Sequence, residues 1–77
     1  MHSDNGILGS VPGQYIAAGS RRLPEPGAAM ADRMSVTVDA AWLGQVRIHY
    51  QRMRMRHGRS SHWAWVAVSA DTVGPEP

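Results

Sequence analysis

Ala40-Ala41-Trp42-Leu43-Gly44-Gln45-Val46-Arg47-Ile48-His49-Tyr50-Gln51-Arg52-Met53-Arg54-Met55-Arg56-His57-Gly58 is the stretch whose reading decides the fold. Two periods compete in it. Leu43, Val46, Tyr50, Met53 and His57 follow a 3-4-3-4 spacing, flanked by Trp42 and His49, which draws one apolar stripe along a helix. Asp39 stands just ahead as an N-cap and Gly58 just behind as a C′ residue. Arg52, Arg54 and Arg56 crowd the last turns, where cations suit the negative end of a helix dipole. A hairpin is the rival. It would set Val46, Ile48 and Tyr50 on one face with Arg52, Arg54 and Arg56, with Met53 and Met55 opposite, and it would require a bulge. The helix needs no such repair, although it leaves Ile48 and Met55 on its far side. Helix is the reading adopted.

Upstream, Ser35-Val36-Thr37-Val38 alternates polar and β-branched apolar residues, a short strand signal. Downstream, Gly58-Arg59 leads to Ser60-Ser61, either of which can cap a second helix. Trp63, Val66, Ala67 and Ala70 would line one face of that helix. As a strand, residues 62 to 70 would be apolar on both faces and would belong at the centre of a sheet. Residues 1 to 33 are rich in glycine and proline, and their apolar residues hold no sustained period, so a disordered leader is expected. Gly74-Pro75-Glu76-Pro77 is a stop, and residues 71 to 77 are expected to form a flexible tail. The expected architecture is mainly α: a short strand followed by two helices over residues 34 to 70. The alternative is α+β with a C-terminal β-hairpin.

Seventy-seven residues leave room for one small domain. A core of that size needs help, and the absence of cysteine removes disulfides and thiolate metal sites as the staple. Self-association, with a homodimer foremost, is the remaining common solution. The same absence of cysteine favours a cytoplasmic protein, and no apolar run approaches the ~20 residues of a membrane span. All eight basic residues are arginine. From Ala40 to Ala70 there are five arginines and three histidines but no acid, a local excess of positive charge that favours an anionic partner, nucleic acid first.

Catalytic and metal chemistry find little support. His49, His57 and His62 are separated by eight and five residues with no clustered carboxylate, so no metal and no cofactor is expected. Serine is present without a nucleophile-elbow motif, and no catalytic residue is assigned. Trp63 and Trp65, interleaved with arginines, suit either base stacking or core packing, and packing is preferred.

The segment Ser35-Val36-Thr37-Val38-Asp39-Ala40-Ala41-Trp42-Leu43-Gly44-Gln45-Val46-Arg47 resembles the opening of ribbon-helix-helix antitoxins of bacterial type II toxin–antitoxin pairs. His57-Gly58-Arg59-Ser60-Ser61-His62-Trp63-Ala64-Trp65-Val66-Ala67 is similar to the approach to their second helix. The resemblance implies an antitoxin that neutralises a cognate endoribonuclease toxin and represses its own operator. It implies a homodimer whose paired strands enter the major groove of double-stranded DNA. Arg33, Ser35 and Thr37 would then face the bases, and Arg59, Ser60 and Ser61 would hold a phosphate at a helix N-terminus. Val36, Val38, Leu43, Val46 and Tyr50 would form the dimer core. Two alternatives stay open: a small basic nucleic-acid-binding or protein-interaction module of another fold, and a barely selected short reading frame.

Overall fold

Val46, Ile48 and Tyr50 are essentially without solvent exposure in the computed structural model, which describes residues 4–73. Three residues spaced by two can share a buried face only on a strand. β-branched Val46 and Ile48 with Tyr50 are strong strand formers, and Ile48, the residue a helix would have stranded, decides between the two periods. The strands are β1 (Arg33–Asp39), β2 (Gln45–His57) and β3 (Ser60–Thr72), forming an antiparallel sheet of order β1-β2-β3. The expected mainly α fold, a strand followed by two helices, is therefore corrected. The chain is mostly β; its two α-helices are short and lie ahead of the sheet, and a 3₁₀ turn at Ala41–Leu43 joins β1 to β2.

Gly58 and Arg59 alone join β2 to β3, with His57 opposite Ser60. Gly58 has φ +63° at the first central position, the sign that a type II′ hairpin turn needs and that glycine adopts freely. A left-handed glycine serves a helix C-terminus and a hairpin equally well, which is why this position misled. The bulge that the hairpin reading required falls on β3 instead of β2. His49 pairs with Ser69 and Tyr50 with Ala67, so Val68 is the extra residue. The bulge shifts the phase of β3, and Trp65, Ala67 and Ala70 all oppose inner-face residues of β2 (Arg52, Tyr50 and Ile48). That spacing obeys neither a period of two nor one of 3.6. On β1, Met34, Val36 and Val38 oppose Tyr50, Ile48 and Val46 on the inner face, leaving Arg33, Ser35 and Thr37 on the outer one.

The inner face is covered by the N-terminal part of the chain: α1 (Asp4–Ser10), α2 (Gly13–Ser20) and a single 3₁₀ turn at Pro26–Ala28. Over residues 4 to 33 this differs from the disordered leader expected for residues 1 to 33, of which residues 1 to 3 lie outside the described residues. Ile7-Leu8, Val11 and Tyr15-Ile16 recur every four residues, a helical spacing that Pro12-Gly13 breaks into two pieces. Neither piece is long enough to hold alone, and the apolar face of the sheet supplies the packing. Val11 is buried, and Ile7, Leu8, Tyr15, Ile16 and Leu23 pack beside it. Polar contacts pin the same segment. The Tyr50 hydroxyl donates to the Ile16 carbonyl at 2.7 Å, Arg22 Nη1 to the Thr37 carbonyl at 2.8 Å, and Trp65 Nε1 to the Pro24 carbonyl at 2.9 Å.

Val36, Val46 and Tyr50 are thus buried inside one chain, with Val38 and Leu43 packed against them. Residues expected to form a dimer core make up this chain's own. Of the expected tail, Asp71 and Thr72 finish β3 and the Val73 amide donates to the Gln45 carbonyl at 2.8 Å. Gly74 to Pro77 lie outside the described residues. No helix among the described residues is long and apolar enough to cross a membrane.

Candidate nucleic-acid interface

β1 has seven residues whereas β2 and β3 have thirteen each, and the difference builds the site. Pairing of β1 with β2 ends at Gln51, whereas β2 and β3 continue together to the Gly58-Arg59 turn. From Met53 to Trp63 every residue is exposed. The result is a bare two-stranded arm on a molecule measuring 49 × 23 × 21 Å. Arg52-Met53-Arg54-Met55-Arg56 alternates strictly, so the pleat sends the arginines to one face and the methionines to the other. Arg54 and Arg56 therefore stand about 7 Å apart along the strand. Arg59 occupies the turn, and His57 and His62 share the methionine face. With no carboxylate from Ala40 to Ala70, nothing on the arm offsets this charge.

Arg52 sits at the root of the arm and has a different task. Its Nη1 donates to the Pro26 and Ala29 carbonyls at 3.0 and 3.1 Å, and its Nη2 pairs with Asp32 at 2.9 Å. Its own amide donates to the Asp32 carbonyl at 2.7 Å. Its buried Nε has no hydrogen-bond partner among the described residues. Read as a helix-dipole cation in the sequence, Arg52 is the latch that closes the N-terminal segment over the sheet. Its guanidinium carbon also lies 4.6 Å from the centre of the Trp63 ring, and that of Arg54 lies at 5.3 Å, both within cation–π range. Arg54 Nε donates further to Ser61 Oγ at 3.2 Å. Trp65 is half-buried, whereas Trp63 keeps 38 % of its surface exposed. Both line a groove of about 310 Å³ whose opposite wall includes Arg21, Leu23 and Pro24.

The residues expected to touch DNA fall into two groups that the fold does not bring together. Arg33, Ser35 and Thr37 lie on the outer face of β1, whereas Arg59, Ser60 and Ser61 lie at the tip of the arm. Ser60 and Ser61 open a strand, so the helix N-terminus expected to hold a phosphate there does not exist. Asp39, expected to cap a helix, ends β1 and accepts from Gln45 Nε2 at 3.0 Å.

On the outer face a hydrogen-bonded chain does form. His49 lies between Ser35 Oγ (2.7 Å from Nδ1) and Asp71 Oδ2 (2.8 Å from Nε2). These are the residue types of a hydrolase relay, beside a concavity of about 630 Å³ that Arg33, Gln51 and Val68 help to line. Such a relay needs oxyanion donors aimed at the reacting carbonyl and a site that excludes water. Here the amides of β2 are flanked by strands on both sides and lie in the plane of the sheet, not out of its face. Asp71 is itself 53 % exposed at its side chain. The chain of three ties β1, β2 and β3 together across the outer face of the sheet.

No family model, curated protein or solved structure matches this chain. The arm must be read from its own chemistry. Sequence reasoning missed its form and the groove at its root; the Arg-Met alternation of residues 52–56 could have shown the strand, whereas the groove brings residues 20–26 against Trp63 and Trp65 and has no local signal.

Proposed function

We propose that this chain is a small, non-enzymatic nucleic-acid-binding module that grips the phosphate backbone with its β-hairpin arm. The observation that carries the reading is the exposed segment Met53–Trp63, which presents Arg54, Arg56 and Arg59 with no carboxylate among them. An extended ribbon of guanidinium groups repeats at a spacing comparable to that of successive phosphates. Each guanidinium offers planar, forked donors suited to phosphate oxygens. Neutralising phosphates releases counterions, which gives such an arm affinity without enclosing its ligand. The strand-helix-helix order through which a ribbon-helix-helix antitoxin would contact DNA is absent among the described residues.

Fluorescence anisotropy of a labelled oligonucleotide at low ionic strength tests the reading. The folded chain should bind, and Arg56→Ala with Arg59→Ala should weaken binding while leaving the circular dichroism spectrum unchanged. A folded chain that does not bind at low salt would overturn it.

A further inference from the structure

Resting on the reading of the arm as a nucleic-acid grip, we infer that the ligand is single-stranded, and that an unpaired base stacks on Trp63 in the groove at the root of the arm. Three observations meet there. The first is the ring itself. Trp63 opposes Arg54 across the hairpin and lies beneath two guanidinium groups that approach from β2. The ring lines the groove together with Trp65. An indole left 38 % exposed beside a body that buries Tyr50 completely is unused packing area. Guanidinium groups held over a ring pre-order it as a platform.

The second observation is the shape of the groove. Its volume of about 310 Å³ lies at the small end of the ~300–1,000 Å³ typical of ligand clefts. Leu23 and Pro24 give it an apolar wall facing the indoles, as a flat aromatic ligand requires. The Pro24 carbonyl is taken by Trp65 Nε1, and one Glu25 oxygen accepts from the Ala28 amide, so both groups are fixed in place. A base inside a duplex has neighbours on both faces and cannot enter such a groove, whereas an unstacked base can.

The third observation is charge. Arg21 and Glu25 both lie on the groove wall; Arg21 has no carboxylate partner among the described residues, one oxygen of Glu25 is held by the Ala28 amide, and Arg54, Arg56 and Arg59 continue along the arm with no carboxylate among them. The groove thus lies beside a basic track, the combination of stacking platform and cationic path that binds single strands without regard to sequence.

The experiment compares a labelled thymidine 12-mer with a 12-base-pair duplex in anisotropy titrations of the full chain, using Trp63→Leu and Trp63→Phe. The inference predicts tighter binding of the single strand, about a tenfold loss of that affinity in Trp63→Leu, and near-complete retention in Trp63→Phe, since loss of one base stack has roughly that effect. Duplex binding should be equal in all three proteins. A second readout needs no change at position 63: in Trp42→Phe, the single strand should quench tryptophan emission and the duplex should not. Equal binding of single strand and duplex, with Trp63→Leu affecting neither or both alike, would overturn the inference and leave the arm as a general phosphate grip. Absence of quenching in Trp42→Phe despite binding would overturn it too. Failure of the folded chain to bind either nucleic acid would overturn the underlying reading itself.

Discussion

Replacing Arg52 by alanine should unlatch the N-terminal segment, and the structure allows the cost to be worked out. Two bonds from Nη1 reach main-chain carbonyls at 3.0 and 3.1 Å, and hydrogen bonds from a charged donor contribute roughly 1.5–3 kcal/mol each. The lower end applies, because water can reach carbonyls at an exposed segment once the guanidinium is gone. The Asp32 pair adds little, since that carboxylate is 75 % exposed and surface ion pairs contribute about 0–1 kcal/mol. Contact with Trp63 adds about 0.5–1 kcal/mol, and loss of the unpartnered buried Nε returns a similar amount. The net destabilisation is about 3 kcal/mol, which at roughly 4–8 °C per kcal/mol lowers the melting temperature by about 12–24 °C. Thermal unfolding followed by circular dichroism reads this directly, with Asp32→Ala as the companion that should change little. Arg52→Ala melting within about 2 °C of the parent chain would refute the latch.

Gly19→Ala places a methyl group against the Tyr50 hydroxyl and should cost about 1–3 kcal/mol in urea unfolding, whereas Gly9→Ala meets open space and should not destabilise. Burial raises the pKa of Tyr50 above its ordinary ~10. The folded state keeps the proton that donates to Ile16, so this contribution is whole below about pH 10 and is lost as pH rises through the raised value. Tyr50→Phe should flatten that alkaline loss in urea midpoints measured across the range, and an equally steep loss without the hydroxyl would sink the assignment. A chain starting at Met34 lacks the cover over Ile48, Tyr50 and Ala70, so its amide spectrum should collapse; a spectrum as dispersed as the full chain's would show that the sheet stands alone.

The strand Ser35–Val38 was legible because its β-branched alternation has no competing period, and its inner and outer residues fall as read. Gln45–His57 was ambiguous because Val46 and Tyr50 satisfy a four-residue step as well as two two-residue ones. Ile48 and the Arg-Met alternation carried the deciding information. β3 was beyond a periodic reading altogether, since the bulge at Val68 breaks its phase. The N-terminal cover was hidden by Pro12-Gly13, which divides one helical spacing into two short helices stable only against the sheet. Of the site, the basic stretch was legible as charge. Its projection as an arm depends on where β1 stops pairing, a tertiary fact that local sequence does not encode.

Salt dependence of single-strand binding tests the central claim most directly, because it counts the phosphates that the arm neutralises. The logarithm of the binding constant, plotted against the logarithm of salt concentration, should fall steeply for the parent chain. The slope should be shallower by about 2 when Arg54, Arg56 and Arg59 are replaced by alanine, given roughly 0.7 per phosphate contact on a single strand. An unchanged slope in the folded triple variant, or no binding by the parent chain at low salt, would contradict the account.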